Sequence, residues 1–251
     1  MKIVGKIKAL SPLHIGGEKQ SNLTTCSRIT TKDGEDIVYI PGNSIRGYLR
    51  RLLVEDFCKN LQITEMTEKQ YFFNFVGGAL SSSKNVTDME EKRNFFMMLP
   101  HIRFFGTSYN NETIQGKLCV SNAMPFDGKI KTEFIQMTRK DDLKSDMTTE
   151  IKIIDDESEK QKEQMIFYVE AIQKDSEFEH EFFVHNPSEL DKSIMSRIIE
   201  LWQEQSFIGG LSARGFGKIK IDYDFKINSK EYFTFIKENE IKIKDLLLRV
   251  K

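Results

Sequence analysis

Gly209-Gly210-Leu211-Ser212-Ala213-Arg214-Gly215-Phe216-Gly217-Lys218 is the stretch on which the fold turns. Four glycines in nine residues reach backbone conformations closed to other residues and bring amide N–H groups within reach of a phosphate chain, while Arg214 and Lys218 add charge. The spacing is not that of a P-loop, which needs Ser or Thr after its lysine and a helix to follow; here a strand, 218–225, follows. The same glycines also suit a tight connection from helix to strand, and the residues alone leave both open. Upstream, Asn186-Pro187-Ser188-Glu189 sets Asn186 at a helix cap, Pro187 at the first helical position and Glu189 at the third. That pattern predicts a helix to about Gln205 that buries Leu190, Ile194, Ile198, Leu201 and Trp202. Before it, 166–172 and 178–185 read as antiparallel strands joined by the polar 173–177.

The N-terminal half supplies the matching pieces. Residues 2–10 alternate, with Ile3, Ile7 and Leu10 among Lys2, Lys6 and Lys8, which predicts a strand with one wet face. Ser11-Pro12 interrupts it, and Leu13-His14-Ile15-Gly16-Gly17 follows. A short strand at 37–40 ends at Pro41-Gly42. Asn43 or Ser44 then caps a helix to about Asn60 that buries Ile45, Leu49, Leu52, Leu53 and Phe57. Gly47 in its first turn costs about 1 kcal/mol against Ala, which suggests close approach of another group. Arg46 and Arg50 share a face of this helix, and no acidic residue lies between Pro41 and Val54 to pair with them, so a solvated face and an anion-binding face both remain open. Residues 66–100 read as loosely patterned helix broken at Gly77-Gly78 and Ser81-Ser82-Ser83. Residues 104–111 read as a turn-rich loop, 116–124 as a strand, 138–164 as a charged hairpin or excursion, and the C-terminus as short helical segments. The order, strand-helix-strand, a large insertion, then two strands, helix and strand, predicts an α+β fold with a βαββαβ ferredoxin-like unit.

Charge sharpens this outline. The 251 residues carry 37 basic and 38 acidic side chains, net -1, which at first argues against a nucleic-acid partner. Partitioned, residues 141–181 hold 5 basic and 14 acidic side chains, and the remainder is mildly basic throughout. With 39% hydrophobic residues and 19 Phe the chain buries a sizeable core, which excludes global disorder and fibrous repeats. Cys26, Cys58 and Cys119 are scattered, without a CxxC, as in a reduced cytoplasmic protein. No stretch approaches the ~20 apolar residues that span a bilayer, and the start lacks a signal-peptide pattern, so no membrane partner is expected. His14 has no Ser/His/Asp order, paired carboxylates or metal spacing around it, which favours a structural role. Trp202 and the 71–75 and 95–96 aromatic clusters read as core rather than as stacking platforms.

Taken in order, Ser-Pro-Leu-His-Ile-Gly-Gly (11–17), Ile-Pro-Gly-Asn-Ser-Ile-Arg-Gly-Tyr-Leu-Arg (40–50), Phe-Phe-Gly (104–106) and Gly-Gly-Leu-Ser-Ala-Arg-Gly-Phe-Gly-Lys (209–218) resemble the RAMP superfamily of CRISPR-Cas proteins. More narrowly they resemble its Cas-seven-type backbone subunits, which line up along the guide RNA of multi-subunit effector complexes. The resemblance implies an RRM-like palm with inserted finger and thumb elements. The palm would come from about 1–60, 115–130 and 165–228, the finger from 61–114, the thumb hairpin from 130–165, and a helical tail from 229–251. It implies crRNA, further copies of the chain, other CRISPR effector subunits, and target DNA or RNA reached through guide pairing as partners, with no cofactor and no metal. Carried onto this sequence, the RNA contacts would be His14, Gly16, Gly17, Lys19, Asn43, Ser44, Arg46, Arg50, Arg51, Gly209, Gly210, Arg214, Gly215, Phe216, Gly217 and Lys218, with Gln136, Met137, Arg139 and Lys140 at the thumb. Type III backbone subunits cut target RNA with an Asp between the first two motifs. The corresponding Asn22-Leu23-Thr24-Thr25-Cys26-Ser27-Arg28-Ile29 has no carboxylate, and Asp33, Glu35 and Asp36 come too late. The segments 104–118 and 136–142 look more like the type IV backbone subunit, which implies guide binding without cleavage. The alternative is an RNA endonuclease: a type III target slicer, or a guide-processing enzyme with His14 as general acid or base.

Overall fold

The computed structural model describes residues 1–78, 88–110, 112–128, 130–139 and 165–250. In chain order the strands and helices are β1 (Lys2–Ala9), β2 (Gly16–Gln20), β3 (Leu23–Cys26), β4 (Arg28–Thr30), β5 (Asp36–Val38), α1 (Gly42–Asn60) and α2 (Glu68–Tyr71). A π turn (Phe72–Val76) follows, then α3 (Met89–Met98), α4 (Pro100–Phe105), β6 (Thr107–Tyr109), β7 (Glu112–Ile114), β8 (Leu118–Val120), β9 (Met124–Pro125) and β10 (Thr132–Arg139). The last elements are β11 (Met165–Ile172), β12 (Glu177–Val184), α5 (Glu189–Gln205), β13 (Ile219–Tyr223) and α6 (Lys230–Leu248).

The main sheet runs β13-β1-β12-β8, all antiparallel, with β9 on β12. Numbered as a βαββαβ unit, these are strands four, one, three and two, with α1 and α5 as the two crossover helices, so the chain has the expected ferredoxin-like palm. Alternation decides its faces: Ile3, Ile7, Ala9, Phe178, Phe182, Val184, Ile219 and Ile221 point into the core with Leu49, Leu53, Phe57, Ile194, Ile198 and Trp202. The other face is mixed in charge. Lys2 pairs with Glu181 at 2.6 Å, Lys8 with Glu177 at 3.2 Å, and Lys6 lies 4.1 Å from the centre of the Phe126 ring.

A second sheet, β10-β11-β3-β2, carries an eight-residue-pair hairpin, Thr132↔Ile172 through Arg139↔Met165. The expected pairing of 166–172 with 178–185 is therefore corrected: β11 is taken by β10 and β3, while β12 lies between β1 and β8. Burial explains the split. The Phe178, Phe182 and Val184 side of β12 fills the palm core, whereas β11 is pinned by Glu170, which is 1% exposed and receives hydrogen bonds from Arg28 (2.7 Å from Nη1, and from Nη2) and from the Cys26 amide at 2.9 Å. Burial raises the Glu170 pKa, but the bonds from Arg28, Thr132 and Cys26 outweigh it and leave the group below its ordinary value.

Other boundaries shift for local reasons. Asn186 adopts a left-handed conformation at φ 39° and cannot cap α5. Ser188 caps it instead, its side chain accepting from the Asp191 amide at 3.2 Å while Asp191 accepts from the Ser188 amide at 2.8 Å. Pro41, rather than Asn43 or Ser44, precedes α1, and no side chain caps it. Residues 104–105 end α4 and 107–109 pair in a hairpin with 112–114, where a loop was expected. The 116–124 stretch is two short strands, β8 and β9. The C-terminus is one 19-residue helix whose buried Tyr232, Ile236, Ile243, Leu246 and Leu247 lie along one side, with Lys237 and Glu238 exposed on the other. Of the expected 138–164 excursion, only the backbone of 138–139 lies within the described residues.

Candidate nucleic-acid interface

Four segments distant in sequence meet around one cleft of about 410 Å³, lined by Ile15, Gly16, Ser44, Gly47, Tyr48, Arg51, Tyr71, Phe75, Val76, Gly209 and Gly210. The glycine-rich loop is sewn to the segment after β1. The Gly210 amide donates to the His14 carbonyl at 3.0 Å, the Gly217 amide to Pro12 at 2.9 Å and the Lys218 amide to the Ser11 hydroxyl at 2.9 Å. Gly209 has φ 85°, and a Cβ there would sit 2.4 Å from the His14 carbonyl oxygen, so the two loops close only if this residue is glycine.

The histidine holds this corner from behind. His14 is 7% exposed, with Nδ1 2.7 Å from the Glu170 carbonyl oxygen. A carbonyl only accepts, so Nδ1 carries the proton and Nε2 is the free ring nitrogen, on the side of Gly16. Gly17 packs instead on β3, where a Cβ would lie 2.7 Å from the Cys26 carbonyl oxygen.

The arginines of α1 divide. Arg51 lines the cleft with its side chain 58% exposed, its guanidinium 5.2 Å from the Tyr48 ring centre and only a 4.0 Å approach to Glu55. Arg50, expected on the RNA-facing side, is withdrawn: it is 4% exposed and donates to the Phe105 and Gly106 carbonyls at 2.6 and 2.5 Å, with Arg46 donating to the same Phe105 carbonyl. Burial, and then the like charge of Arg46, lowers the Arg50 pKa to about 10. The Arg-rich and Phe-Phe-Gly motifs are thus two halves of one strut. Phe216, another expected contact, is 5% exposed and a core plug, and Gly217 is buried beside it.

Of the expected contacts, Gly16, Ser44, Arg51, Gly209 and Gly210 come together in the cleft wall. Lys19, Asn43, Arg214, Gly215 and Lys218 are exposed on the same segments. Arg214 bridges outward, its guanidinium 5.6 Å from the Phe167 ring centre and its Nη1 3.5 Å from the Met137 Sδ, which joins the glycine-rich loop to the β10–β11 hairpin. Gln136 is exposed on that hairpin. Arg139 ends β10, and Lys140 lies outside the described residues.

The aromatic wall was missed. Tyr71 is 51% exposed and stacks on Phe75 at 4.9 Å, against the expectation that the whole 71–75 cluster is core; only Phe73 is fully buried. The π turn follows Tyr71, and in it Phe73 lies inward while Phe75 and Val76 reach the cleft beside Tyr71. The turn is held by the Asn74 side chain, which donates to the Gln70 carbonyl at 2.7 Å and accepts from His101, and by Thr107 donating to the Phe73 carbonyl at 2.8 Å. A signal for outward-facing aromatics was present in the i,i+4 spacing of Tyr71 and Phe75.

Fold and site together define an α+β protein with a ferredoxin-like palm and a loop-built cleft that offers side-chain-free glycine backbone, Arg51 and aromatic rings. The chain belongs to the RAMP superfamily, whose family model matches residues 6–220. Among solved structures it is similar to a chain of a "Type IV-B CRISPR Complex", with a TM-score of 0.66 and 16% identity over 89% of this chain and 90% of that one, a likeness of fold. No curated protein matches the sequence. Among the described residues, no helix is long and apolar enough to cross a membrane.

Proposed function

We propose that the chain is a guide-RNA-binding backbone subunit of a cytoplasmic CRISPR effector complex, present in several copies along the guide, and that it holds RNA without cutting it. The observation that carries this reading is the convergence of the 11–17 segment, α1 and the glycine-rich loop on one cleft whose lining, among the described residues, includes Arg51 and no carboxylate. Superfamily membership and the likeness to a chain of a type IV-B complex support it.

The geometry suits backbone recognition. The Arg51 guanidinium is a phosphate-binding group, and the side-chain-free Gly16, Gly209 and Gly210 let a sugar-phosphate chain approach closely, which leaves guide bases free to pair with a target. The β10–β11 hairpin, tied to the glycine-rich loop through Arg214, would serve as the thumb that reaches a neighbouring copy. The palm's open face suits RNA poorly, because its lysines are matched by Glu177, Glu181 and the Phe126 ring. The non-cutting half of the proposal rests on the absence of a carboxylate in 22–29. Incubation with labelled guide precursor and with guide–target duplex, with and without Mg²⁺, tests it. Intact RNA is expected; defined products lost in His14→Ala, or Mg²⁺-dependent cuts spaced along a target, would sink it.

A further inference from the structure

The π turn at the cleft points to more than backbone contact. Resting on the RNA-binding reading above, we infer that the Tyr71–Phe75 wall receives one unpaired nucleobase of the bound strand, with the phosphate of that nucleotide at Arg51. Tyr71 and Phe75 lie with ring planes 19° apart and centres 4.9 Å apart, and half of Tyr71 faces outward. The same cleft is lined by Gly16, Gly209 and Gly210, which have no side chains to obstruct a flat ring. At about 410 Å³ the space falls in the ~300–1,000 Å³ range of small-ligand sites. Among the described residues its lining holds one full charge, the Arg51 cation, which suits an anionic nucleotide.

The turn itself is costly to keep. A π step weakens the helix ladder, and here Asn74, His101 and Thr107 are all committed to holding it, with Gly77 closing it at φ 100° against the Arg50 guanidinium. Within the turn Phe73 is buried in the core and Phe75 packs partly against it, so what the turn adds is the presentation of Phe75 and Val76 at the cleft beside Tyr71, the residue that precedes it. Polar side chains in the lining are few, so ring stacking dominates over edge hydrogen bonding and the site accepts any base.

Binding of a short oligouridine and of an abasic ribose-phosphate chain of the same length, each at low and high salt, tests this on the full chain. Wild-type protein is expected to prefer oligouridine by about tenfold, Tyr71→Ala to lose that preference with an unchanged salt slope, and Tyr71→Phe to keep it. Equal wild-type binding of the two chains, or a Tyr71→Ala loss of the same factor on both, would overturn the stacking site while leaving RNA binding intact. Wild-type protein that binds neither chain would overturn the RNA-binding reading and the base site with it.

Discussion

Arg50 and Arg51 are neighbours with opposite tasks, and the difference is measurable. Arg50→Ala strips donors from two buried carbonyls and should cost about 2–3 kcal/mol of stability, seen as a lower denaturation midpoint. Arg51→Ala should leave the midpoint unchanged and reduce the salt slope of RNA binding by about one. The helix offers Arg51 an acidic residue at i+4, Glu55, but nothing in the spacing of Arg46 and Arg50 shows that they are withdrawn, because their fate is decided by carbonyls about 55 residues away. A second residue-scale test concerns pH. His101 is enclosed, and burial followed by the Arg50 charge lowers its pKa from 6.5 to about 3; burial likewise lowers that of His180 to about 4. Folded-state values below the unfolded ones mean the unfolded chain binds more protons on acidification. Their contribution to stability is therefore present above about pH 6.5 and is lost as pH falls toward 4, at roughly 1.4 kcal/mol per pH unit for each fully released group. Denaturation from pH 7.5 to 4.5 should show this slope, and His101→Gln should reduce it; an unchanged slope in that variant would assign the effect elsewhere.

At the scale of elements, glycine content was legible in the sequence, but which glycines carry geometry was not. Gly209 and Gly215 both have φ near 85°, yet only Gly209 faces a backbone oxygen within contact distance, while Gly215 has open space around it. Gly215→Ala should cost about 1–2 kcal/mol from the left-handed conformation alone. Gly209→Ala should cost more and also weaken RNA binding, since it forces the loop away from His14. Periodicity exposed β1, α1, α5 and β13 because each buries one face on the palm core. It found β11 as a strand but not its partners, and it missed the π turn. Strand pairing is a tertiary choice, here decided by Glu170 with Arg28, and one extra residue in a helical turn re-phases every side chain after it. Replacing Glu170 with Ala leaves the Arg28 charge without its partner and should cost about 3–5 kcal/mol, loosening the β10–β11 hairpin from β3; hydrogen exchange along β11 would report it.

Across the whole molecule, the near-zero net charge hides a division of labour between surfaces. The 141–181 segment holds the acidic excess, the palm's outer face is charge-matched, and the cleft has Arg51 without a carboxylate in its lining. One such cleft offers few phosphate contacts, so affinity has to accumulate from copies on a shared strand. The most direct measurement is to co-express the chain with a guide RNA, purify it, and record both the 260-to-280 nm absorbance ratio and the mass by light scattering. The account predicts co-purifying RNA in a particle of several subunits, lost or shortened in Arg51→Ala; an RNA-free monomer with the absorbance ratio of protein alone would contradict it.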